Sequence, residues 1–187
     1  SSHYHPLYGG LVYGSTVGLT GNGTLSIGGN TVSSSSSYIS GGLVYGSTVN
    51  LTDNGEVRFL GNEVSASNSV YGGGVGASYL TIQGNGVVDM SGNTTKSTYT
   101  GSGYSVEGGV LRSYYAALID SNDKLTISNN IAESAKGTVR GGAIYQSNSG
   151  TSSSYTTRLT GNGDVTITDA LWETFDVVIS KTGIESE

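Results

Sequence analysis

Seven carboxylates, Asp53, Glu56, Glu63, Asp89, Glu107, Asp120 and Asp123, are the side chains of this chain most suited to acid–base chemistry. Cleaving a saccharide needs two or more carboxylates, or a carboxylate with Arg or Lys, converging on one groove. These carboxylates are scattered. Asp53 and Glu56 flank a Gly-rich corner, and Arg58 with Asp89 reads as a structural ion pair. Both histidines lie in the first five residues, so no Ser/His/Asp arrangement is evident. His3-Tyr4-His5 places two imidazoles on one side of an extended segment, where a third ligand would complete a metal site. A chain terminus is more commonly frayed. There is no cysteine, hence no disulfide framework and no thiol chemistry. The expectation is a chain that is not an enzyme, with no cofactor and no metal. A carbohydrate-active enzyme stays as a competing class, because some polysaccharide lyases and hydrolases share the architecture inferred next.

The elements that would position any site repeat along the chain. A glycine pair recurs at Gly9-Gly10, Gly41-Gly42, Gly72-Gly73, Gly108-Gly109 and Gly141-Gly142, at intervals of 32, 31, 36 and 33 residues. Such a period marks stacked units that hide an apolar face only against a neighbour. Behind each pair stands an aliphatic residue: Val12, Val44, Val75, Leu111 and Ile144. A second apolar column follows at Leu19, Leu51, Ile82, Ile119 and Leu159. An alternating pair comes next: Leu25/Ile27, Val57/Phe59, Val88/Met90, Leu125/Ile127 and Val165/Ile167. Asparagine separates these segments at Asn22, Asn54, Asn85, Asn122 and Asn162, and again at Asn30, Asn62, Asn93 and Asn130. The fifth pass has Ala170 at the last position.

Period-2 alternation is the strand signature. Three short strands and three Gly/Asn corners per repeat predict an all-β chain, a right-handed parallel β-helix of about five coils. Coils advance by about 4.8 Å, so equivalent residues become vertical neighbours. Aliphatic columns then fill the interior and the asparagines form amide ladders. Asn and Gly at the corners would accommodate left-handed backbone. The rival is an antiparallel sandwich, since Asn-Gly between alternating runs is also a hairpin signal. The fixed phase of the second asparagine and the glycine pair disfavours it.

The stacking carries a consequence for outward side chains. Arg58 falls beside Asp89, and Lys124 beside Asp164, on adjacent coils of one face. Polar loops are expected at residues 31–40, 63–71, 94–107 and 131–140, with the fifth pass carrying its extra length at 146–157. Tyr38, Tyr71, Tyr99, Tyr104 and Tyr155 lie in or beside them. Tyr13, Tyr45 and Tyr145 form a separate outward column, interrupted by Gly76 and Arg112, that can either anchor a contact or simply shield the sheet.

The domain organisation reads as an N-terminal extension over 1–8, a repeat domain over 9–169 and a C-terminal cap or inter-subunit segment over 170–187. The last contains Trp172 and Phe175 and reads equally as a short helix or a strand covering the final coil. Net charge is −6 at pH 7, against a nucleic-acid partner, whose phosphates require a basic surface. No apolar run is long enough to span a bilayer as a helix. The chain reads as a processed protein or a piece of a longer one. The calcium-binding nonapeptide repeat is absent, and Gln83 and Asp120 break the Thr20, Thr52, Thr160 array that an ice-binding face would need. The sequons at Asn22, Asn50 and Asn93 fit a chain rich in Asn and Thr by chance.

Gly141-Gly142-Ala143-Ile144 and Phe59-Leu60-Gly61-Asn62 resemble the two motifs, GGA(I/L/V) and FxxN, of polymorphic outer-membrane protein repeats. Other passes carry variants such as Gly41-Gly42-Leu43-Val44 in the same phase. The resemblance spans Gly9 to about Ile167, with one departure: well-known members are cysteine-rich. It implies a β-helical autotransporter passenger, secreted by a bacterium and displayed extracellularly or at the cell surface, often for adhesion. The partner would be a protein or glycan on a host or neighbouring cell. End-to-end self-association into an extracellular filament is the alternative.

Overall fold

A computed structural model describes residues 5–101, 103–147 and 156–168, and the backbone of Val178–Ser180. These residues are all-β. Their strands are parallel and lie in stacked sheets, an arrangement consistent with a β-helix. The long sheet takes Val12–Thr20, Val44–Thr52, Val75–Gln83 and Leu111–Asp120, then Ile144–Gln146 and Thr157–Thr160, and ends on Val178–Ser180. The second sheet stacks Thr24–Gly28, Glu56–Leu60, Val87–Ser91, Lys124–Ser128 and Asp164–Ile167. The third stacks Thr31–Ser34, Glu63–Ala66, Thr94–Ser97 and Ile131–Ser134. A short sheet stacks Leu7–Tyr8, Ile39–Ser40, Val70–Tyr71, Ser105–Glu107 and Thr138–Arg140.

Equivalent letters of successive repeats are partners. Leu19 pairs with Leu51, Leu51 with Ile82, Ile82 with Ile119 and Ile119 with Leu159. Ile27, Phe59, Met90, Ile127 and Ile167 form another such row. Leu51, Val57, Phe59, Ile82, Val88, Met90, Ile119, Leu125 and Ile127 are fully buried. Burying such side chains removes about 1.5–3 kcal/mol each from the unfolded side of the balance.

Two features differ from the sequence expectation. The first two segments of each of the first four passes fuse into one long strand, so Val12 and Leu19 belong to a single element. The stretches expected to be loops at 31–40, 63–71, 94–107 and 131–140 each contain two further strands. Their inward rows, Val32/Val64/Thr95/Ala132 and Ile39/Val70/Val106/Val139, are short and mixed with Ser and Thr. The alternation is therefore weak in sequence. The sheets thus number four rather than three among the described residues. Leu7–Tyr8, inside the first eight residues, is the first strand of the short sheet.

Two amide ladders line the corners beside the core. In one, Asn22 passes to Asn54, Asn85, Asn122 and Asn162; in the other, Asn30 passes to Asn62, Asn93 and Asn130. Each Nδ2 donates to the next Oδ1 at 2.8–2.9 Å. The backbone N–H of the same residue donates to that same oxygen at 2.9–3.2 Å. From the second rung on, Nδ2 also donates to a carbonyl of the preceding repeat, such as Leu51 O from Asn85 and Phe59 O from Asn93. Asn54, Asn62, Asn85 and Asn122 are buried and fully engaged in this way. An unmet group in their place would cost about 1–3 kcal/mol.

The left-handed residue at these corners is not the ladder asparagine but the residue before it. Gly21, Asp53, Gly84, Ser121 and Gly161 have φ of 53–69°, and Gly29, Gly61, Gly92 and Asn129 have φ of 56–67°. The asparagine is selected for its amide, and the preceding residue makes the turn. The glycine pair divides labour differently. Its first member, Gly41 for example, takes φ +57°. Its second, Gly42, has no room: a Cβ there would meet Val64 Cγ1 at 2.6 Å and the Gly73 carbonyl of the next repeat.

Gly42→Ala should therefore lower stability by roughly 1–3 kcal/mol or more through overpacking. Gly18→Ala, where nothing lies within 4 Å, should change it by less than about 0.5 kcal/mol. Urea denaturation of the two variants checks the contrast.

The ladder also sets a chemical outcome. An Asn-Gly bond deamidates when the glycine nitrogen attacks the asparagine Cγ and expels ammonia, and water then opens the cyclic imide to aspartate or isoaspartate. The amides of Gly55, Gly86 and Gly163 are held by Asn22 O, Asn54 O and Asn122 O at 2.8–3.0 Å. The Gly23 amide has no such bond among the described residues, and Asn22 is exposed. Peptide mapping after incubation of the folded protein in mild alkali should find conversion at Asn22 first. Unfolding should release the other three sites. Equal rates at Asn22 and Asn85 in the folded protein would show that the ladder is open.

Candidate functional site

Two outward rows meet across the left-handed glycines. On the long sheet, Tyr13, Tyr45, Gly76, Arg112 and Tyr145 are successive register partners. The corresponding row of the short sheet contains Tyr8, Ser40, Tyr71, Glu107 and Arg140. Each strand of the short sheet ends just before its glycine pair and each long strand begins just after it. The corner therefore turns both rows onto one face. The tyrosine column is consequently not separate. Tyr8 lies 4.9 Å from Tyr45 and 6.0 Å from Tyr13 between ring centroids, and Tyr13 stacks on Tyr45 at 5.9 Å with planes 5° apart.

Tyr38 joins the same face, its hydroxyl 2.8 Å from that of Tyr8 and its ring 5.7 Å from Tyr71. The face becomes ionic further along the stack. Arg112 Cζ stands 4.9 Å over the Tyr71 ring, a cation–π distance. Arg112 Nε and Arg140 Nη1 each lie 3.3 Å from the Glu107 carboxylate, whose side chain is 10% exposed. Two guanidinium groups thus compensate one nearly buried carboxylate, as burial of a charge demands. Tyr145 is placed in register beside Arg112.

Of the remaining candidate carboxylates, Glu56, Asp89, Glu63 and Asp120 lie on sheets other than that of Glu107, and Asp53 and Asp123 lie at the corners between strands. On the second sheet Arg58 contacts Glu56 at 2.8 Å and Asp89 at 3.9 Å; on the third, Lys96 contacts Glu63 at 2.8 Å. Asp120, on the long sheet, accepts from Thr160 Oγ1 at 2.6 Å, Gln83 Nε2 at 3.0 Å and Ser121 Oγ at 2.9 Å. Those donors, Thr160 foremost, hold its pKa below the usual carboxylate range. Lys124 and Asp164 are register partners on the same sheet as Arg58 and Asp89, without an ion pair between them. Among the described residues no three His, Cys, Asp or Glu gather at metal-binding spacing. His3 lies outside the described residues.

One aromatic group was not visible in the repeat pattern. Tyr79 stacks on Tyr115 at 5.2 Å, and Tyr114 meets Tyr115 edge-on at 4.7 Å. The register slips here: Ala77 pairs with Ser113 but Tyr79 with Ala116. The available signal was spacing. Leu111 precedes Ile119 by eight residues, whereas Val75 precedes Ile82 by seven, and the extra residue bulges outward.

Proton affinity on the tyrosine face follows its packing. The Tyr8 hydroxyl bonded to Tyr38, together with burial, pushes the Tyr38 phenol up to about 12. Burial first, and then the neighbouring Tyr8, raises Tyr45. Folded Tyr38 keeps a proton that the unfolded chain loses near pH 10, so this contribution is intact below that pH and fades between pH 10 and about 12. Urea denaturation at about pH 9 and about pH 11.5 should show stability falling with pH. Tyr38→Phe should flatten part of that fall.

No family model, curated protein or solved structure matches this chain.

Proposed function

We propose that the chain is a right-handed parallel β-helix of about five coils that serves as a non-catalytic adhesive segment of a bacterial extracellular or cell-surface protein. The right hand follows from the strong general preference of parallel crossovers. The resemblance of Gly141–Ile144 and Phe59–Asn62 to autotransporter-passenger repeats supports the compartment. The observation that carries the adhesive role is the outward tyrosine face. Tyr13 is 66% exposed and lies flat against Tyr45, on a frame whose interior is sealed by aliphatic rows and amide ladders. Rigid aromatic rings offer large contact area at little entropic cost. A glycan or protein on another cell is the corresponding partner.

The same geometry ranks the alternatives. Glu56, Glu63, Asp89, Glu107 and Asp120 are spread over four sheets and engaged with neighbouring cations or hydroxyls, and Asp53 and Asp123 stand at corners, which gives a saccharide-cleaving site little support. Val178–Ser180 runs parallel to the chain's own Arg158–Thr160. This is the pairing that a tail covering its own last coil makes. The other residues of the expected cap, Trp172 and Phe175 among them, lie outside the described residues.

Latex beads coated with the protein should be retained on a cultured epithelial monolayer several-fold above bare beads. Tyr13→Ala/Tyr45→Ala should abolish most of that retention while the protein still unfolds in a cooperative urea transition. Retention equal to bare beads would sink the adhesive role, and full retention by the double variant would remove the tyrosine face from it.

A further inference from the structure

We infer that a cavity between the third and fourth repeats, at the corner leading into the short sheet, is a second recognition site, which takes a sugar bearing one anionic group, carboxylate or sulfate. The inference rests on the adhesive role proposed above and supplies a ligand class at a place apart from Tyr13 and Tyr45.

The cavity lies where neighbouring corners differ in length. Between the third sheet and the short sheet, three residues connect Ala66 to Val70 and Ser134 to Thr138, but seven connect Ser97 to Ser105. Insertions of this kind fall on one face of a solenoid, often the binding face. At the step between the long corner and the short one that follows is a cavity of about 370 Å³, whose lining includes Tyr104, Ser105, Lys136, Gly137, Thr138 and Arg140. Its walls are pinned. Ser134 Oγ donates to the Tyr104 carbonyl at 3.4 Å and accepts from the Gly137 N–H at 3.0 Å, and the Ser105 N–H donates to Ser69 Oγ at 3.0 Å. Gly137 passes so close to the Tyr104 carbonyl that a Cβ there would overlap it. On the long corner, Tyr99 meets Tyr104 edge-on at 4.5 Å.

Charge then selects the ligand. Lys136 is exposed and makes no ion pair among the described residues. The Arg140 side chain is 47% exposed and gives only Nη1 to Glu107, at 3.3 Å, so its Nε and Nη2 donors remain open among the described residues. Glu107 is also held by Arg112 and is 10% exposed. Glu133, the other carboxylate nearby, is the register partner of Lys96 on the third sheet and lines the neighbouring groove with it. Among the described residues the cavity wall itself carries no carboxylate. An anionic oxygen between an ammonium and a guanidinium gains charge-assisted bonds from both. The Ser105 and Thr138 hydroxyls suit ring hydroxyls, and Tyr104 backed by Tyr99 offers an aromatic wall to a sugar's C–H face. Two cations on a chain of net charge −6 suit one isolated anionic group and not a polyanion.

NMR titration of the isotope-labelled protein with sialyllactose, glucuronic acid or galactose sulfate, with lactose as the neutral comparison, tests this directly. The expected result is a saturable shift of the Ser105, Gly137 and Thr138 amide signals with at least one acidic sugar and none with lactose. A carboxylate ligand answers through sialyllactose or glucuronic acid, a sulfate ligand through galactose sulfate alone. Lys136→Ala, at an exposed corner, should weaken binding roughly tenfold, as loss of a hydrogen bond to a charged group does, and leave the urea midpoint nearly unchanged. Lys136→Arg should keep most of the affinity. Lys124→Ala, which removes the same charge from an exposed position of the second sheet, should leave binding intact. No saturable shift with any acidic sugar overturns the proposal, as does an equal response to lactose, undiminished binding by Lys136→Ala, or equal weakening by Lys124→Ala. Bead retention on cells with no such shifts would end this inference and spare the adhesive role. Shifts without bead retention would do the reverse.

Discussion

Each interior ladder asparagine offers one side-chain oxygen to two N–H groups of the repeat before it, and sends its own amide protons forward and back. The rest of the architecture depends on this arrangement. It requires an asparagine at the same phase in successive repeats, five in one row and four in the other, and it holds consecutive corners directly over one another. Buried amides left unmet would each cost about 1–3 kcal/mol, so a slip of one residue at any corner is penalised at every rung. Aligned amides also polarise one another, which strengthens the row beyond its separate bonds. With the corners fixed, the strands between them have one register, and the aliphatic rows coincide.

Vertical alignment is demanding inside and permissive outside. Interior positions must fit under their own equivalents, so most vary among Val, Leu, Ile, Met, Phe and Ala, with Thr, Ser or Gln at a few, such as Thr95, Ser97, Ser113 and Gln146. The second glycine of the first four pairs has no room for a side chain, between a carbonyl of the next repeat and a side chain of the third sheet. Outward positions need only suit the neighbours on either side. The row Thr20, Thr52, Gln83, Asp120 and Thr160 changes chemistry at nearly every step, yet its members still bond one another. A frame of this kind can carry a contact surface at little cost to its core.

The tyrosine–arginine face uses that freedom. Rings from two sheets meet at one corner because the left-handed glycine folds the chain back sharply enough to bring Tyr8 against Tyr45. Further along, the same corner brings Glu107 between Arg112 and Arg140. Aromatic and ionic segments thus follow one another on a single edge of the stack. The bulge at Tyr114 adds a second aromatic group on the long sheet, joined to the first through Arg112.

The repeat, the all-β character, the parallel stacking and the partners of Leu51, Ile82, Asn62 and Asn93 were legible in the chain, because a fixed period with alternating apolar residues admits few packings. The two short strands of each repeat were hidden, since rows such as Val32/Val64/Thr95/Ala132 are too brief and too polar to stand out from a loop. The left-handed positions were assigned one residue late, because Asn suits both a ladder and a turn and the chain alone does not say which duty it performs. Which tyrosines meet was decided only in three dimensions. Tyr8 and Tyr45 are 37 residues apart in sequence, and Tyr79 reaches Tyr115 through a one-residue slip. Periodicity specifies which residues lie above one another, but the turn at each corner and the bulge in one strand decide which rows become neighbours.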